Sequence, residues 1–194
     1  MIRKIKQKIR TYLTEKYDAQ FIENYYGVAR GTVIDDIIMI KNDKVETGVE
    51  ADWYVSYSEM KDFVLNHDME KQENYQKACE LIDMESFIDY FAVLGYVARC
   101  GDWPDSNFAL WRSRNVSEKP YEDGKWRWML FDVNTSAFID DIVDHDTLTY
   151  VRQESAMFNN LYNNNDLLIK IKHNMLILNG NKKIKYFLKI MLHN

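Results

Sequence analysis

Residues 83–107 read DMESFIDYFAVLGYVARCGDWPDSN, and this stretch decides the fold of the 194-residue chain. Its first part, 83–100, is apolar around most of a helical circumference, which predicts a buried helix that Asp83 or Ser86 can cap. Its last part, GDWPDSN, places two carboxylates, an amide and one of only two prolines in a single turn. Because functional side chains concentrate on loops held by a rigid scaffold, this turn is the first candidate for a site.

The composition indicates one water-soluble globular domain. Hydrophobic residues make up 46% of the chain, and no apolar run is long enough to span a bilayer. The basic start MIRKIKQKIR is not followed by an apolar segment, so we expect no signal peptide on this chain. All 30 acidic residues lie between Glu15 and Asp166, where only 14 Lys and Arg accompany them, a net charge of −16. Such a body repels nucleic-acid phosphates, and it favours a magnesium-dependent site or a basic protein substrate.

Periodicity outside this stretch predicts an α+β fold. Apolar spacing predicts a helix that ends at Gly27, a helix over 59–67 capped by Ser58, and helices over 70–82 and 153–164. β-Branched residues predict a strand over 32–43 with its turn in NDKVETG (42–48). Alternation predicts an antiparallel hairpin with strands over 107–114 and 126–133.

The order of helix, loop and hairpin matches what phosphoryl transfer requires. A kinase needs one carboxylate to orient the attacking hydroxyl, and a second carboxylate with an amide to hold Mg²⁺. Asp102 and Asn107 have the D-x-x-x-x-N spacing of a kinase catalytic loop, and Asp132 lies near the end of the second predicted hairpin strand. All three can equally be turn or strand-end residues that bond local backbone. Asp105 can replace Asp102 only at a shorter offset from Asn107.

The remaining candidate residues have simpler explanations. Four tryptophans are further candidates: Trp103, Trp111, Trp126 and Trp128. They can form a wall on which a ligand such as a carbohydrate stacks, or they can pack the hairpin, and we favour the packing role. The spacing of Cys79 and Cys100 matches no metal or redox motif, so we expect them to be buried or free thiols. The four histidines show no ligand spacing either.

Two segments together resemble the CotH-type kinases, the family of spore coat protein H. They are FIDYFAVLGYVARCGDWPDSNFALWRSR (87–114) and GKWRWMLFDVN (124–134), which resemble the family hallmark of D-W-P-x-x-N followed by G-K-W-R-W-x-L-x-D-x-D. The resemblance extends over most of residues 11–164. It implies an atypical protein-kinase-like fold, here mainly a helical C-lobe with a β-hairpin at the catalytic loop.

The resemblance also implies a chemistry. ATP and a divalent cation, Mg²⁺ or Mn²⁺, would serve phosphoryl transfer to Ser or Thr of a protein substrate, such as a basic, Ser-rich coat protein. Carried over by position, Asp102 is the catalytic residue, and Asn107, Asp132 and Asn134 hold the metal. Family members belong to the spore coat, the cell surface or secreted proteins, and this is the localisation implied for a parent protein.

Three departures from the family pattern stand out. Asn134 replaces the second carboxylate of D-x-D, which predicts weaker metal binding. No Gly-rich loop or phosphate-gripping Lys can be assigned before the main helix, so we expect a fragment that is mainly C-lobe. We therefore divide the chain into a basic helix (1–10) that either lies on a membrane or covers a core, a partial kinase-like domain (11–164), and a diverged basic tail (165–194). The alternative function is a non-catalytic pseudokinase or a coat or surface interaction module.

Overall fold

The computed structural model describes residues 16–29, 37–49, 51, 53–99, 101, 103–104, 106–130 and 146–180. These residues form seven α-helices and four strands, interrupted by one π-helical turn. In chain order the elements are α1 (Ala19–Tyr26), β1 (Ile37–Lys41), β2 (Lys44–Thr47), the π-helical turn (Trp53–Tyr57), α2 (Ser58–Asn66), α3 (Gln72–Leu81), α4 (Met84–Tyr96), β3 (Ala109–Ser113), β4 (Arg127–Met129), α5 (Thr147–Glu154), α6 (Ala156–Tyr162) and α7 (Asn165–Gly180). The α+β prediction is confirmed.

Helix α1 begins and ends where its capping residues predict. The Asp18 carboxylate accepts hydrogen bonds from the backbone N–H groups of Gln20 and Phe21 at 3.0 and 3.2 Å. Gly27 adopts a left-handed conformation (φ 72°), and its N–H donates to the carbonyl of Glu23 at 3.0 Å. The predicted helix end at Gly27 is therefore confirmed.

The four strands form one antiparallel sheet in the order β2-β1-β3-β4. Asn42 and Asp43 connect β1 to β2 with φ values of 50° and 57°, as a two-residue hairpin turn requires. The sequence assigned 42–48 to the turn alone, which is wrong because β2 lies inside it. The predicted hairpin is confirmed, with shorter strands, by the pairing of Leu110 with Trp128.

Three of the four strands, β1, β3 and β4, are buried on both faces of the sheet. One face packs on a small core with α1, formed by Ile22, Val28, Ile37, Met39, Ala109, Trp111 and Met129. The alternate residues Ile38, Ile40, Leu110 and Trp128 face the main core with α2 to α7. Burial on both faces explains why β1 reads as a continuous apolar run.

Helix α4 lies at the centre of the main core. Asp83 is its N-cap and accepts from the N–H of Ser86 at 3.0 Å, which selects Asp83 from the two predicted caps. The Ser86 hydroxyl donates to the carbonyl of Trp128 at 3.1 Å and accepts from its N–H at 2.9 Å, so α4 closes the outer edge of β4. The helix ends at Tyr96, before the predicted residue 100, because Ala98 is left-handed (φ 53°) and cannot continue it.

The helices around α4 differ from the sequence predictions in two details. Ser58 does not cap α2, because the π-helical turn runs into the helix and leaves Tyr57 in helical geometry at the boundary. The predicted helix over 153–164 is wrong as one element: Ser155 ends α5 and caps α6, accepting from the N–H of Phe158 at 3.2 Å. Helix α7 packs along α4. In the described part of the chain no helix has the length and hydropathy of a membrane span.

Candidate active site

The loop after α4 is held at its entrance by α5. The hydroxyl of Tyr150 donates to the carbonyl of Gly101 at 2.8 Å, and the hydroxyl of Thr147 donates to the carbonyl of Arg99 at 2.9 Å. Gly101 is left-handed (φ 84°), a conformation that glycine adopts without steric cost. Two side chains of one helix therefore fix the direction in which the chain enters GDWPDSN.

Trp103 anchors the middle of the loop in the main core. Its ring is 1% exposed, lies 5.6 Å from the ring of Phe91, and its Nε1–H donates to the hydroxyl of Tyr90 at 2.8 Å. Burial raises the pKa of Tyr90 far above its ordinary value, although the hydrogen bond from Trp103 and the charge of Arg99 lower it. The Tyr90 hydroxyl is thus protonated at any physiological pH. The Trp103–Pro104 peptide bond is cis.

The loop exit is held by the β1–β2 turn. The side-chain carbonyl of Asn42 accepts from the N–H of Phe108 at 3.1 Å, and the N–H of Asn42 donates to the carbonyl of Phe108 at 3.2 Å. Asn107, directly before it, is half-buried and left-handed (φ 52°). Asparagine tolerates this conformation better than most residues, which favours it at this position independently of any ligand.

The register of the hairpin decides what lies near Asn107. Ala109 pairs with Met129, so the start of β3 and the end of β4 lie at the same end of the sheet. Asp132 follows Met129 by three positions in the sequence. Of the predicted site residues, only Asn107 belongs to the described part of the chain. Asp102, Asp105, Asp132 and Asn134 lie outside the described residues.

A buried arginine ties β4 to the start of α4. Arg127 Nε lies 2.9 Å from Asp83 Oδ2, an ion pair whose N–H is poorly aligned for a hydrogen bond, and its terminal nitrogens donate to Asp123 at 2.9 and 2.7 Å. The guanidinium also lies over the rings of Trp111 and Tyr121, at 5.5 and 5.4 Å. Burial of Asp123 raises its pKa, but the hydrogen bonds from Arg127 and from the N–H of Lys125 outweigh this and lower it.

A cavity of about 380 Å³ opens beside this ion pair, between α4 and the end of β4. Its lining includes Asp83, Glu85, Asp89, Arg127 and Leu130. Leu130 is the last described residue before Asp132, so this cavity lies next to the point where the chain leaves the hairpin.

The hairpin is packed by Trp111, Trp126 and Trp128, whereas Trp103 anchors the loop before it. Trp103, Trp111 and Trp126 are at most 1% exposed and Trp128 is 8% exposed, which argues against a carbohydrate-stacking surface. Cys79 is a free, half-buried thiol whose pKa is raised by burial; Cys100 lies outside the described residues. Within the described ranges, no three His, Cys, Asp or Glu side chains come together as a metal site.

Sequence reasoning missed the residues that hold the loop. Tyr90, Tyr150, Thr147 and Asn42 act over long sequence separations, and none belongs to the D-x-x-x-x-N pattern. The only available signal was the type of residue, since each has a hydroxyl or amide side chain that can form a hydrogen bond.

The fold and the loop together define an α+β domain in which a polar turn links a buried helix to a β-hairpin. A family model described as CotH kinase protein matches residues 38–176, which is more than half of the chain, and the protein belongs to this family. The match covers the sheet apart from Ile37, the candidate loop and most of α7. No curated protein and no solved structure matches the chain significantly.

Proposed function

We propose that this chain is the C-lobe-like part of an atypical protein kinase that transfers the γ-phosphoryl group of ATP to a Ser or Thr hydroxyl. The observation that carries the proposal is the held loop: α5 fixes its entrance, Trp103 its middle and Asn42 its exit. These contacts hold the described residues on either side of Asp102, and catalysis by positioning requires a loop whose backbone is held.

The proposed step assigns one role to Asp102. Its carboxylate orients the substrate hydroxyl and accepts its proton as the hydroxyl oxygen bonds to the γ-phosphorus. The bond from the γ-phosphorus to the bridging β–γ oxygen breaks, and ADP leaves. Proton acceptance by a positioned carboxylate contributes roughly 10²- to 10⁴-fold to such a rate.

The proposed metal ligands are chemically suited to Mg²⁺ or Mn²⁺. Asn107, Asp132 and Asn134 all offer oxygen atoms, the donors that hard divalent cations prefer. The hairpin register, which joins the end of β4 to the start of β3, supports placing Asn107 and Asp132 in one site. A cation bound there would offset the charge of the ATP phosphates.

The experiment is transfer of labelled phosphate from ATP to casein, to a basic Ser-rich protein and to the chain itself, with Mg²⁺ or Mn²⁺. Asp102→Asn removes the proton acceptor with almost no change in volume and is expected to reduce transfer by at least about a hundredfold. Asp105→Asn is the matched control in the same loop and should retain activity. Equal transfer by the wild type and Asp102→Asn would refute the catalytic assignment.

Asn134 allows the metal assignment to be tested by a substitution that should increase metal affinity. A neutral amide gives a divalent cation less charge than a carboxylate does. Asn134→Asp is therefore expected to bind Mn²⁺ about tenfold or more tightly in a calorimetric titration, and Asp132→Asn to bind it more weakly. An unchanged affinity in Asn134→Asp would remove residue 134 from the proposed metal site.

Asn134 also favours a second candidate function, a non-catalytic domain that binds proteins of the spore coat or cell surface. In that case neither nucleotide binding nor phosphoryl transfer is expected. Titration of ATP with Mg²⁺, followed by heat and by thermal unfolding, separates the two functions. A shift in the unfolding temperature that Asp132→Asn abolishes supports the kinase, whereas no heat and no shift support the binding domain.

A further inference from the structure

We propose that a cavity beneath Trp103 and Pro104 receives a large apolar side chain of the protein substrate, close to the residue that is phosphorylated. We call it the Trp103 cavity. It has a volume of about 170 Å³ and lies between α2, α4, the candidate loop and the start of α6. This inference deepens the proposed kinase function and rests on it.

The lining selects for an apolar occupant. Buried rings and aliphatic side chains form the floor, among them Phe91, Trp103 and Leu110, whereas exposed residues form the rim, among them Leu65, Glu154 and Ala156. An apolar cavity of about 150 Å³ is known to hold a molecule of the size of benzene. The Trp103 cavity therefore has room for one Leu, Met or Phe side chain.

The charged and hydroxyl groups at one side of the cavity are paired with one another. The Tyr57 hydroxyl donates to Asp43 Oδ1 at 2.6 Å, and Lys61 Nζ lies 3.2 Å from both Asp43 oxygens and 5.6 Å from the centre of the Tyr57 ring. Glu154 on the rim has no ion-pair partner among the described residues. The remaining charge is negative, so a basic residue next to the apolar one fits this rim.

The cavity lies at the right place for substrate recognition. Trp103 and Pro104 belong to its wall, and Trp103 directly follows Asp102 in the sequence. An extended peptide advances about 3.3 Å per residue. Because Asp102 adjoins this wall in the sequence, the proposal places the apolar side chain within a few positions of the phosphorylated residue.

The test measures peptide binding in the absence of ATP, so that it does not depend on phosphoryl transfer. The probes are peptides with one serine, one lysine and a phenylalanine at two, three or four positions from the serine, each compared by calorimetry with the same peptide carrying alanine. Full burial of a phenylalanine ring predicts binding that is about ten- to a hundredfold tighter for at least one spacing. Equal affinities for all phenylalanine and alanine peptides would overturn the proposal.

Two rim variants locate the binding. Ala156→Trp closes the mouth from an exposed position and should abolish the preference for phenylalanine, and Leu65→Trp should do the same from α2. Gln153→Trp adds the same ring at an exposed position outside the lining and should keep the preference. A preference that survives both rim variants would also overturn the proposal.

The two proposals fail separately. If no phosphoryl transfer is found but the phenylalanine preference persists and both rim variants remove it, the kinase assignment is wrong and the cavity is a peptide-binding site without a kinase role. If transfer occurs with equal efficiency on phenylalanine and alanine peptides that also bind equally, the kinase stands and the docking cavity is wrong.

Discussion

The hydrogen bond between Trp103 and Tyr90 can be tested by removing a single oxygen atom. Tyr90→Phe keeps the ring in place and deletes the acceptor of the Trp103 Nε1–H, which lies 2.8 Å away in a buried region. A buried donor left without a partner costs about 1–3 kcal/mol. The wild-type hydroxyl carries its own cost of burial, so we expect the variant to lose about 1–2 kcal/mol of unfolding free energy.

For a chain of this length, 1 kcal/mol corresponds to roughly 2–4 °C in Tm. The measurement is urea unfolding followed by far-ultraviolet circular dichroism, which does not depend on tryptophan fluorescence. Tyr150→Phe is the control, because its hydrogen bond to Gly101 is open to water that can replace the lost donor. We expect that control to lose about 0.5 kcal/mol or less.

A double-mutant cycle with Trp103→Phe isolates the pair from the effects of ring size. If the hydrogen bond anchors the loop, the two substitutions should couple by about 1 kcal/mol, because the second removes a group that the first has already left unpaired. A coupling energy below about 0.5 kcal/mol, together with an unchanged stability of Tyr90→Phe, would refute the reasoning that this contact holds the loop.

Three further predictions concern the supports of the loop and the hairpin. Asn42→Gly keeps the left-handed turn but loses the loop hydrogen bond, and should cost about 1 kcal/mol in thermal unfolding; Asn42→Ala should cost about 1 kcal/mol more, because alanine is strained at φ 50°. The lowered pKa of Asp123 stabilises the fold above its ordinary value of 3.8, and this stability is lost as pH falls through the lower folded value. Arg127→Met should therefore lose about 2–3 kcal/mol at neutral pH and show a flatter loss of stability below about pH 4. Gly95→Ala should change the unfolding free energy by less than about 1 kcal/mol, because the better helix propensity of alanine offsets the cost of moving Met175. The Cε atom of Met175 would lie 3.0 Å from the new Cβ. A larger loss in denaturant unfolding would show that Met175 on α7 cannot move away.

The predictable part of the fold is the part that local patterns determine. Asp18 and Gly27 give the bounds of α1, and the apolar circumference of 84–96 gives the buried helix. Strand β2 was not predictable as a strand, because Lys44–Thr47 is a polar edge segment that pairs on one side with β1. The strand forms because Asn42 and Asp43 adopt the left-handed conformation of a two-residue turn. The spacing of apolar residues does not predict that conformation.

The candidate site also has a part that the sequence predicts and a part that it does not. The spacing of Asp102 and Asn107 predicted a catalytic loop, and the family match covers that loop. The supports of the loop could not be predicted, since each joins residues far apart in the chain: Tyr90 and Trp103 across a helix end, Gly101 and Tyr150 across most of the hairpin. The D-x-x-x-x-N spacing contains no information about either of these two contacts.

The polar residues of GDWPDSN lie next to apolar residues that anchor the loop. Trp103 and Phe108 belong to the main core and hold the backbone of the loop. Asp102 and Asn107 then sit beside anchored residues, whereas Asp132 and Asn134 come from a different part of the chain, after β4. The proposed proton acceptor and two of the three proposed metal ligands therefore lie in separate parts of the chain. A change at residue 134 should alter metal affinity without altering the stability of the Trp103 contact, and a change at Tyr90 should loosen the loop while leaving the ligands contributed from beyond β4 in place.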